Sequence, residues 1–528
     1  MSRIESLTSR NDFKFCEVTI DNVMNKFKKL KVNKSSGYDS MPALILKSGS
    51  DVLCTFFTKI VNQCIKNCIF PDTFKHAEVT PLYKKNNNLD KQNYRPVSVL
   101  TAMSKVMEGL MCDQIMQYFE NVLSQSISAY RKLYSTNNVI LKCLEDWRLA
   151  LDHRKVIGCV AMDLSRAFDS IPHGLLIAKL NAYGATKETC QLVYSYLSCR
   201  KQRVRINGFY SDWSHIVRGV PQGSILGPVL FNVYLNDLIV SLEEECIVYN
   251  YADDNTLSCV NSDSNIVKCT LEKACNTAIS WFQTNYMKVN PEKFQFMLLH
   301  SNSVFSLDVM GVNIDPIDTI KLLGVYIDKN LNFTEHINHL VSKGAKQVNV
   351  LGRLSYKLSE PCKLRILDAF IVSNFNYCTL AYHYCKMIYA CKLEKLLKRA
   401  LRYVYLDFNS SYNELLEKAR KSPLYVQRIR LILEAVHKII NDKYPPICPS
   451  FYEKSFVADM YNLRNTNLLV QPKFNSIKYG YKSLKYEGAS LWNSMPDLMK
   501  SDNFTTFKKN VIAHVTKCQC GSCLLCQV

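Results

Sequence analysis

Long apolar runs are missing from this chain. No window of about 18 apolar residues occurs in its 528 positions, which removes a membrane-spanning helix from consideration. The opening MSRIESLTSRNDFKF has no apolar stretch of the signal-peptide kind, so the expected setting is intracellular, cytoplasm and nucleus, and not secreted. In that setting the 22 cysteines read as reduced thiols rather than disulfides. Repeats of 20–50 residues are absent, which excludes a solenoid, and low complexity is confined to the polar patch Lys84-Lys85-Asn86-Asn87-Asn88. Acidic side chains are in deficit, 46 against 66 basic ones, giving a net charge of +20 and a pI near 9.0. A polyanion is the first partner to consider. No basic amphipathic helix stands out, so a membrane surface is not expected as the partner.

What is present is ordinary for a folded protein. The apolar share is 48% and the charged share 21%, enough to bury a core and to set aside wholesale disorder. At about 100–200 residues per domain, the length suggests three to five structural units. The charge is uneven: residues 1–330 carry 37 basic and 32 acidic side chains, and residues 331–528 carry 29 and 14. The last third is the basic part.

The first 70 residues read mainly as helix, interrupted by a turn at Lys34-Ser35-Ser36-Gly37-Tyr38-Asp39. From Val99 the positions Val99, Met103, Val106, Met107, Leu110 and Met111 recur at steps of three and four, predicting one apolar helical face. Val156–Leu164 is a continuous apolar run with Asp163 near its end, as expected of a strand covered on both faces. Lys201–Asn207 alternates as a strand with a basic face. A helix carrying Leu230, Phe231, Tyr234, Leu235 and Leu238 follows a glycine-containing stretch at 219–227. Cys246–Asp254 is a short strand running into two adjacent acids, and Phe294–His300 is another strand. Beyond about residue 331 the pattern is helical and basic until Pro445-Pro446 breaks it.

Asp163, Asp253 and Asp254 are the centre of the chemistry. Adjacent carboxylates after an apolar strand repel each other unless a cation or hydrogen-bond donors neutralise them. Oxygen-only ligands suit Mg²⁺ or Mn²⁺, and a third acid at another strand end could complete a two-ion clamp for in-line phosphoryl transfer. On spacing alone an Asp-Asp pair is more often a solvated turn.

The flanking residues decide the matter. Asp163-Leu-Ser-Arg-Ala-Phe-Asp169, Gly219-Val-Pro-Gln-Gly-Ser-Ile-Leu-Gly-Pro228 and Tyr251-Ala-Asp-Asp254 occur in that order. So do Asn93-Tyr-Arg-Pro-Val-Ser98, Ala129-Tyr-Arg-Lys132 with Ser135-Thr136, Lys288-Val-Asn-Pro-Glu-Lys293 and Lys321-Leu-Leu-Gly-Val-Tyr-Ile-Asp328. With the turn at Lys34, these eight ordered blocks closely resemble the reverse transcriptases of non-LTR retrotransposons of the jockey-like type. Tyr461-Asn-Leu-Arg464 and Leu491-Trp-Asn-Ser-Met-Pro496 look like the region that follows the polymerase in such elements, without implying a chemistry.

The resemblance implies an α+β right-hand polymerase with fingers, palm and helical thumb, and a small C-terminal region. The expected divisions are an N-terminal helical extension over 1–70, fingers and palm over 71–330, a basic thumb over 331–444, and a C-terminal region with a Cys-rich tail over 445–528. It further implies RNA-directed DNA polymerisation, with an RNA template, a DNA primer or target, deoxynucleoside triphosphates and Mg²⁺ or Mn²⁺. Asp163 and Asp253 would ligate the ions, with Asp254 supporting them, and Lys293 would protonate the pyrophosphate. Phe168 would exclude a ribose 2′-hydroxyl, and Gln222 and Gly223 would pack on the incoming nucleotide and template. Arg95, with Lys84 beside it in role, would hold the triphosphate, and Leu323-Gly324 would form the primer grip. Ala129-Tyr130-Arg131 stands where Gly-Phe-Arg is more familiar. Elements of this type carry an apurinic-type endonuclease ahead of the polymerase, and none is visible here, so the expectation is a truncated copy or one piece of a longer product.

Lys392, Lys395, Lys398, Arg399 and Arg402 recur near steps of three and four, as a phosphate-gripping face would, and Tyr403, Tyr405 and Trp492 are candidates for base stacking. Cys518, Cys520, Cys523 and Cys526 could bind zinc, although structural sites usually pair two separated knuckles or include His, and a reduced tail is the alternative. Two rivals to the enzyme stand: a catalytically silent nucleic-acid-binding remnant, and a cellular or intron-borne relative of the same fold.

Overall fold

The computed structural model describes residues 13–84, 87–164, 167–301, 304–445, 452, 468–501 and 503–515, with the side chain of Asp163 outside that description. In chain order the strands are β1 (His76–Tyr83), β2 (Tyr94–Val99), β3 (Val156–Asp163), β4 (Arg200–Ile206), β5 (Phe209–Tyr210) and β6 (Ser214–Ile216). There follow β7 (Ile247–Tyr251), β8 (Asp254–Asn261), β9 (Gln295–Leu299), β10 (Leu307–Val309), β11 (Val312–Ile314), β12 (Thr319–Leu322) and β13 (Val325–Asp328). Helices surround them, so the chain is mixed α and β. No described helix is long and apolar enough to cross a membrane.

Two compact units form, and neither follows one continuous stretch: 1–130, 163–255 and 274–291 make the first, and 131–162, 256–273 and 292–528 the second. The divisions expected at residues 70, 330 and 444 therefore run along the chain, whereas the units interleave it.

In the first unit, β2, β1, β4 and β5 are neighbours in that order, with β6 also on β4. β1 and β2 are antiparallel in the register Leu82↔Arg95, and β1 runs parallel to β4. Glu78 on β1, almost fully buried, is neutralised by Arg203 at 2.5 Å and Arg205 at 3.4 Å, both on the neighbouring strand β4, which explains a basic strand face. The helix Ala102–Phe119 is enclosed more completely than a one-face pattern predicts, because Val106 to Met111 are all buried. Glu108 interrupts that apolar run with a functional consequence described below.

In the second unit, β3 lies between β8 and β9, antiparallel to β9 with Gly158 opposite Leu298. Glycine is needed there: a Cβ would lie 2.5 Å from Leu271 and 2.7 Å from Val267 of the helix Ser264–Thr284. Ser258 of β8 donates to the Gly158 carbonyl at 3.4 Å and accepts the indole N–H of buried Trp147 at 3.0 Å. The helices Thr334–Leu354 and Met387–Tyr405 pack side by side, in close approach at Gly344, where a Cβ would meet Leu396 at 2.8 Å. Val426, Ile432 and Val436 of the helix Leu424–Ile440 share one apolar cluster with Leu469, Leu484, Trp492, Phe507 and Val511. The segment beyond residue 445 thus joins the core of this unit.

Candidate active site

The adjacent acids sit on a tight connection. β7 ends at Tyr251 and β8 starts at Asp254, leaving Ala252 and Asp253 as the turn, with Ala252 at φ 57°. Such a turn is held by two buried amides. Asn250 donates from Nδ2 to the Ala252 carbonyl at 2.9 Å and to Asn255 Oδ1 at 2.8 Å, while Asn255 Nδ2 donates to the Asp253 carbonyl at 3.5 Å. Both asparagines are at most 1% exposed. Asp253 itself is half-buried and Asp254 exposed, so a fixed backbone presents two carboxylates at a surface.

Phe168 lies five positions beyond Asp163, the residue that closes β3. Its ring stacks on Phe231 at 4.3 Å with an interplanar angle of 20°, and Tyr130 meets it edge-on at 6.3 Å. Tyr130 also feels Asp253: burial pushes its phenol up, and the charges of Asp253 and Tyr251 push it further. Tyr130 therefore links the segment after β3 with the Asp253 turn, inside the first unit. It adopts φ 61°, which orients an otherwise ordinary aromatic toward both.

The stretch Gly219–Gly227 is clamped onto the same segment. Gly219 N–H donates to Ile171 at 2.8 Å and Val220 N–H to the Phe168 carbonyl at 2.9 Å. Gln222 donates from Nε2 to both oxygens of Asp169, at 3.0 and 3.1 Å, and its carbonyl accepts from Ser98 N–H at 2.7 Å. Gly223 has φ 121°, and a Cβ there would lie 2.5 Å from the Ser98 carbonyl oxygen. Only glycine combines that backbone with that approach. The helix Leu226–Glu243 has no side-chain cap of its own, and fully buried Glu108 supplies one, accepting from Ile225 N–H at 2.7 Å, Leu226 N–H at 3.3 Å and Ser104 Oγ at 3.0 Å. Burial pushes the Glu108 carboxyl up in spite of these donors.

Arg95 and Lys84 fall at one end of the β1–β2 hairpin, both exposed, where Lys84 N–H donates to the Asn93 carbonyl at 2.8 Å. Tyr83 and Tyr94 touch at 5.6 Å on one face of that hairpin, and strand alternation puts Lys84 and Arg95 on the other.

The remaining expected residues belong to the second unit. Lys293 is exposed at the end of the single helical turn Pro291–Lys293, just before β9. Leu323 and Gly324, at φ 45° and 86°, form the β12–β13 turn, whose Leu323 carbonyl accepts from Tyr377 Oη at 2.6 Å. On the helix Met387–Tyr405, Lys392, Lys395 and Arg399 are exposed, and Lys398 and Arg402 are half-buried. Lys392 donates to Asn338 at 3.3 Å and Arg399 to Asn349, both on the neighbouring helix. Trp492 corrects one expectation: at 4% exposure, with Phe507 at 5.6 Å, it is core and not a stacking platform. Tyr403 likewise covers Gly352, 3.0 Å from where a Cβ would sit. Cys518, Cys520, Cys523, Cys526 and the Tyr461–Arg464 motif lie outside the described residues.

Among the described residues no group of three or more His, Cys, Asp or Glu side chains is placed to hold a metal ion, and Asp163 contributes no side chain to that survey. The donors that are described, Asp253 and Asp254, are carboxylates, the charge of the first felt by Tyr130, a set that fits a hard divalent cation and not a thiophilic one.

Residues 83–352 match the family model described as Reverse transcriptase (RNA-dependent DNA polymerase). The chain belongs to the reverse transcriptase family. Its right-hand polymerase fold is that of the family, whose members generally use divalent metal ions. The chain is 27% identical over 340 residues to "Probable RNA-directed DNA polymerase from transposon BS" of Drosophila melanogaster, a match covering 61% of this chain and 37% of the relative. It is 24% identical over 405 residues to "RNA-directed DNA polymerase from mobile element jockey" of the same organism, covering 73% and 43%. The reverse transcriptase here thus spans about two-fifths of the length of these relatives.

Glu108, Asn250 and Asn255 carry no expected role from the motifs, and Tyr130 and Asp169 stand inside motifs without one, yet each fixes a part of this site. A polar residue inside an apolar run was the available signal for three of them: Glu108 in the Met-rich helix, and Asn250 and Asn255 around the acids.

Proposed function

We propose that this chain is the RNA-directed DNA polymerase portion of a non-LTR retrotransposon, adding deoxynucleotides to a primer 3′-hydroxyl on an RNA template. What supports the reading most is one juxtaposition in the first unit: the Asp253–Asp254 turn and the Phe168 segment that follows Asp163, both in reach of Tyr130.

Asp163, Asp253 and Asp254 would hold two magnesium ions, which would supply charge neutralisation at the primer hydroxyl and the triphosphate. Phe168, braced by Phe231, sets a rigid wall against which a 2′-hydroxyl would collide. Gln222, tied to Asp169, and Gly223, seated on Ser98, give the nucleotide and template a fixed floor. Arg95 and Lys84 bind the triphosphate oxygens, and Lys293 serves as proton donor to the leaving pyrophosphate. Leu323-Gly324 holds the primer end, and Lys392, Lys395, Lys398, Arg399 and Arg402 hold duplex phosphates.

Primer extension on poly(rA)/oligo(dT) with Mg²⁺ tests the reading. Soluble wild-type protein should extend the primer, and Asp253→Ala should not. Absence of product from wild type, at the level of that control, would refute it.

A further inference from the structure

Along the hairpin of β4, β5 and β6 in the first unit, every residue from Val204 to Arg218 is exposed except Ile216, which is half-buried. Its tip is tight: Asn207 and Gly208, at φ 50° and 88°, join β4 to β5 by the two-residue turn whose twist matches that of the strands. Register gives this tip two unlike faces, because Arg205 stands opposite Tyr210 and Ile206 opposite Phe209. On one face Arg203, held by Glu78 at 2.5 Å, lies over both the Tyr210 and Trp213 rings, 4.1 and 4.7 Å from their centres. Arg205 reaches the same carboxylate at 3.4 Å with its side chain half exposed, and Lys201 and His215, paired in register, continue that face. On the other face Val204, Ile206 and Phe209 are 37, 53 and 80% exposed, and none carries a charge.

The sheet relates these faces to the nucleotide. β1 runs antiparallel to β2 with Leu82 opposite Arg95, and parallel to β4 with Glu78 opposite Arg203. Alternation therefore puts Arg95, Glu78, Arg203, Arg205 and Tyr210 on one face of one sheet. Two strand spacings and two residues separate Arg95 from Arg205, roughly 12 Å. Ahead of the incoming nucleotide the template is not yet copied, so a strand that crosses this face beyond Arg95 is unread template.

We propose that this hairpin is a wedge that opens a paired template: the unread strand passes over Arg205 and Tyr210, and Phe209 with Ile206 packs on the first base pair ahead, where the duplex splits. Both faces are then used. The pair at an open duplex end presents a flat apolar surface and takes an aromatic ring, whereas the strand leading from it is a polyanion and takes arginine. A protein partner would suit the apolar face and leave the basic one without a role, although Asp212 is the one acid between Arg200 and Arg218. The strand paired to the template can be RNA or DNA, because stacking does not read the sugar. The inference rests on the polymerase reading above and adds to it the copying of a template that is still paired.

The full chain is given a primed RNA template either open or with a complementary strand annealed ahead of the primer, that strand carrying 4-thiouridine in its first pair. Irradiation without nucleotides, followed by mass spectrometry, should cross-link the annealed strand to the tryptic peptide Ile206–Arg218. With nucleotides, Phe209→Ala should slow extension through the annealed strand about tenfold, the loss expected for one stacked base, and leave extension on the open template within about twofold of wild type. Phe209→Trp should restore passage, and the unfolding midpoint of Phe209→Ala in urea should match that of wild type, since the ring is exposed. Four outcomes overturn the proposal: wild type that halts at the annealed strand, Phe209→Ala that passes it as fast as wild type, equal slowing on both templates, or no cross-link from the annealed strand to that peptide. Absence of extension on the open template with the cross-link retained would count against the polymerase reading alone.

Discussion

Asn250→Leu separates positioning of Asp253 from simple stability. The substitution keeps the size of a fully buried side chain and removes two donated hydrogen bonds, to the Ala252 carbonyl at 2.9 Å and to Asn255 Oδ1 at 2.8 Å. Each acceptor left buried without a donor costs about 1–3 kcal/mol, so a loss of about 2–4 kcal/mol is expected in urea unfolding. The freed carbonyl belongs to the residue before Asp253, and a shift of about 1 Å in a reacting group is enough for about a 100-fold loss of rate. Primer extension should accordingly show kcat down about 100-fold with the KM for the nucleotide nearly unchanged, at a temperature where circular dichroism shows the variant folded. Turnover within threefold of wild type in folded Asn250→Leu would refute a positioning role for the buried amides.

Gly223→Ala combines φ 121° with a Cβ 2.5 Å from the Ser98 carbonyl oxygen, so it should destabilise the first unit and abolish extension, whereas Gly174→Ala, in the helix His173–Ala182 where a Cβ meets nothing, should unfold less readily and keep activity. His336, 2% exposed against Tyr382, is pushed by burial and by His339 from 6.5 to about 4. The unfolded chain then binds the extra proton, so stability is complete above pH 6.5 and falls as pH drops toward 4, by about 3 kcal/mol. Urea unfolding between pH 7 and pH 4 should show that slope in wild type and a shallower one in His336→Gln. If Lys392, Lys395, Lys398, Arg399 and Arg402 each neutralise a phosphate, the log–log salt slope of duplex binding should be about −4 to −5, and unchanged binding across salt would count against that helix. Asp152→Ala removes an acceptor for Asn475 N–H at 2.9 Å and for Ser476 N–H and Oγ, both at 2.7 Å, and should cost about 2–4 kcal/mol in urea unfolding.

Much of the architecture was legible because it is periodic. The apolar run at Val156–Leu164 became β3 (Val156–Asp163), and Lys201–Asn207 became Arg200–Ile206. The Cys246–Asp254 run was read as one strand, but the left-handed Ala252 ends it at Tyr251 and starts another at Asp254. The turn residue is an alanine, not the glycine or asparagine that marks such turns, and so carried no local signal. The side-chain contacts of the site were illegible for a different reason. Glu108 and the Ile225 N–H it accepts from are 117 positions apart, and Gln222 reaches Asp169 across 53, distances over which neither periodicity nor turn chemistry carries information.

The same limit applies to the C-terminal segment, where composition gave a break at Pro445-Pro446 and nothing more. Folding crosses that break with two carboxylates on the helix Thr136–Asp152, the one that leads into β3. Glu145 accepts from Lys485 N–H at 3.1 Å, and Asp152 accepts from Asn475 and Ser476. Gly480 presses so close that a Cβ would lie 2.6 Å from the Asp152 carboxyl. Buried carboxylates are retained only where their acceptor capacity is filled, and here backbone N–H groups more than 300 positions away fill it. Without those donors the strand that ends in Asp163 would follow a helix whose Asp152 loses the bonds to Asn475 and Ser476 and whose Glu145 keeps Arg148 but loses a backbone donor. Residues 475–485 therefore have a physical claim on the helix Thr136–Asp152 that their own sequence does not announce: they complete its hydrogen bonding just before β3 departs.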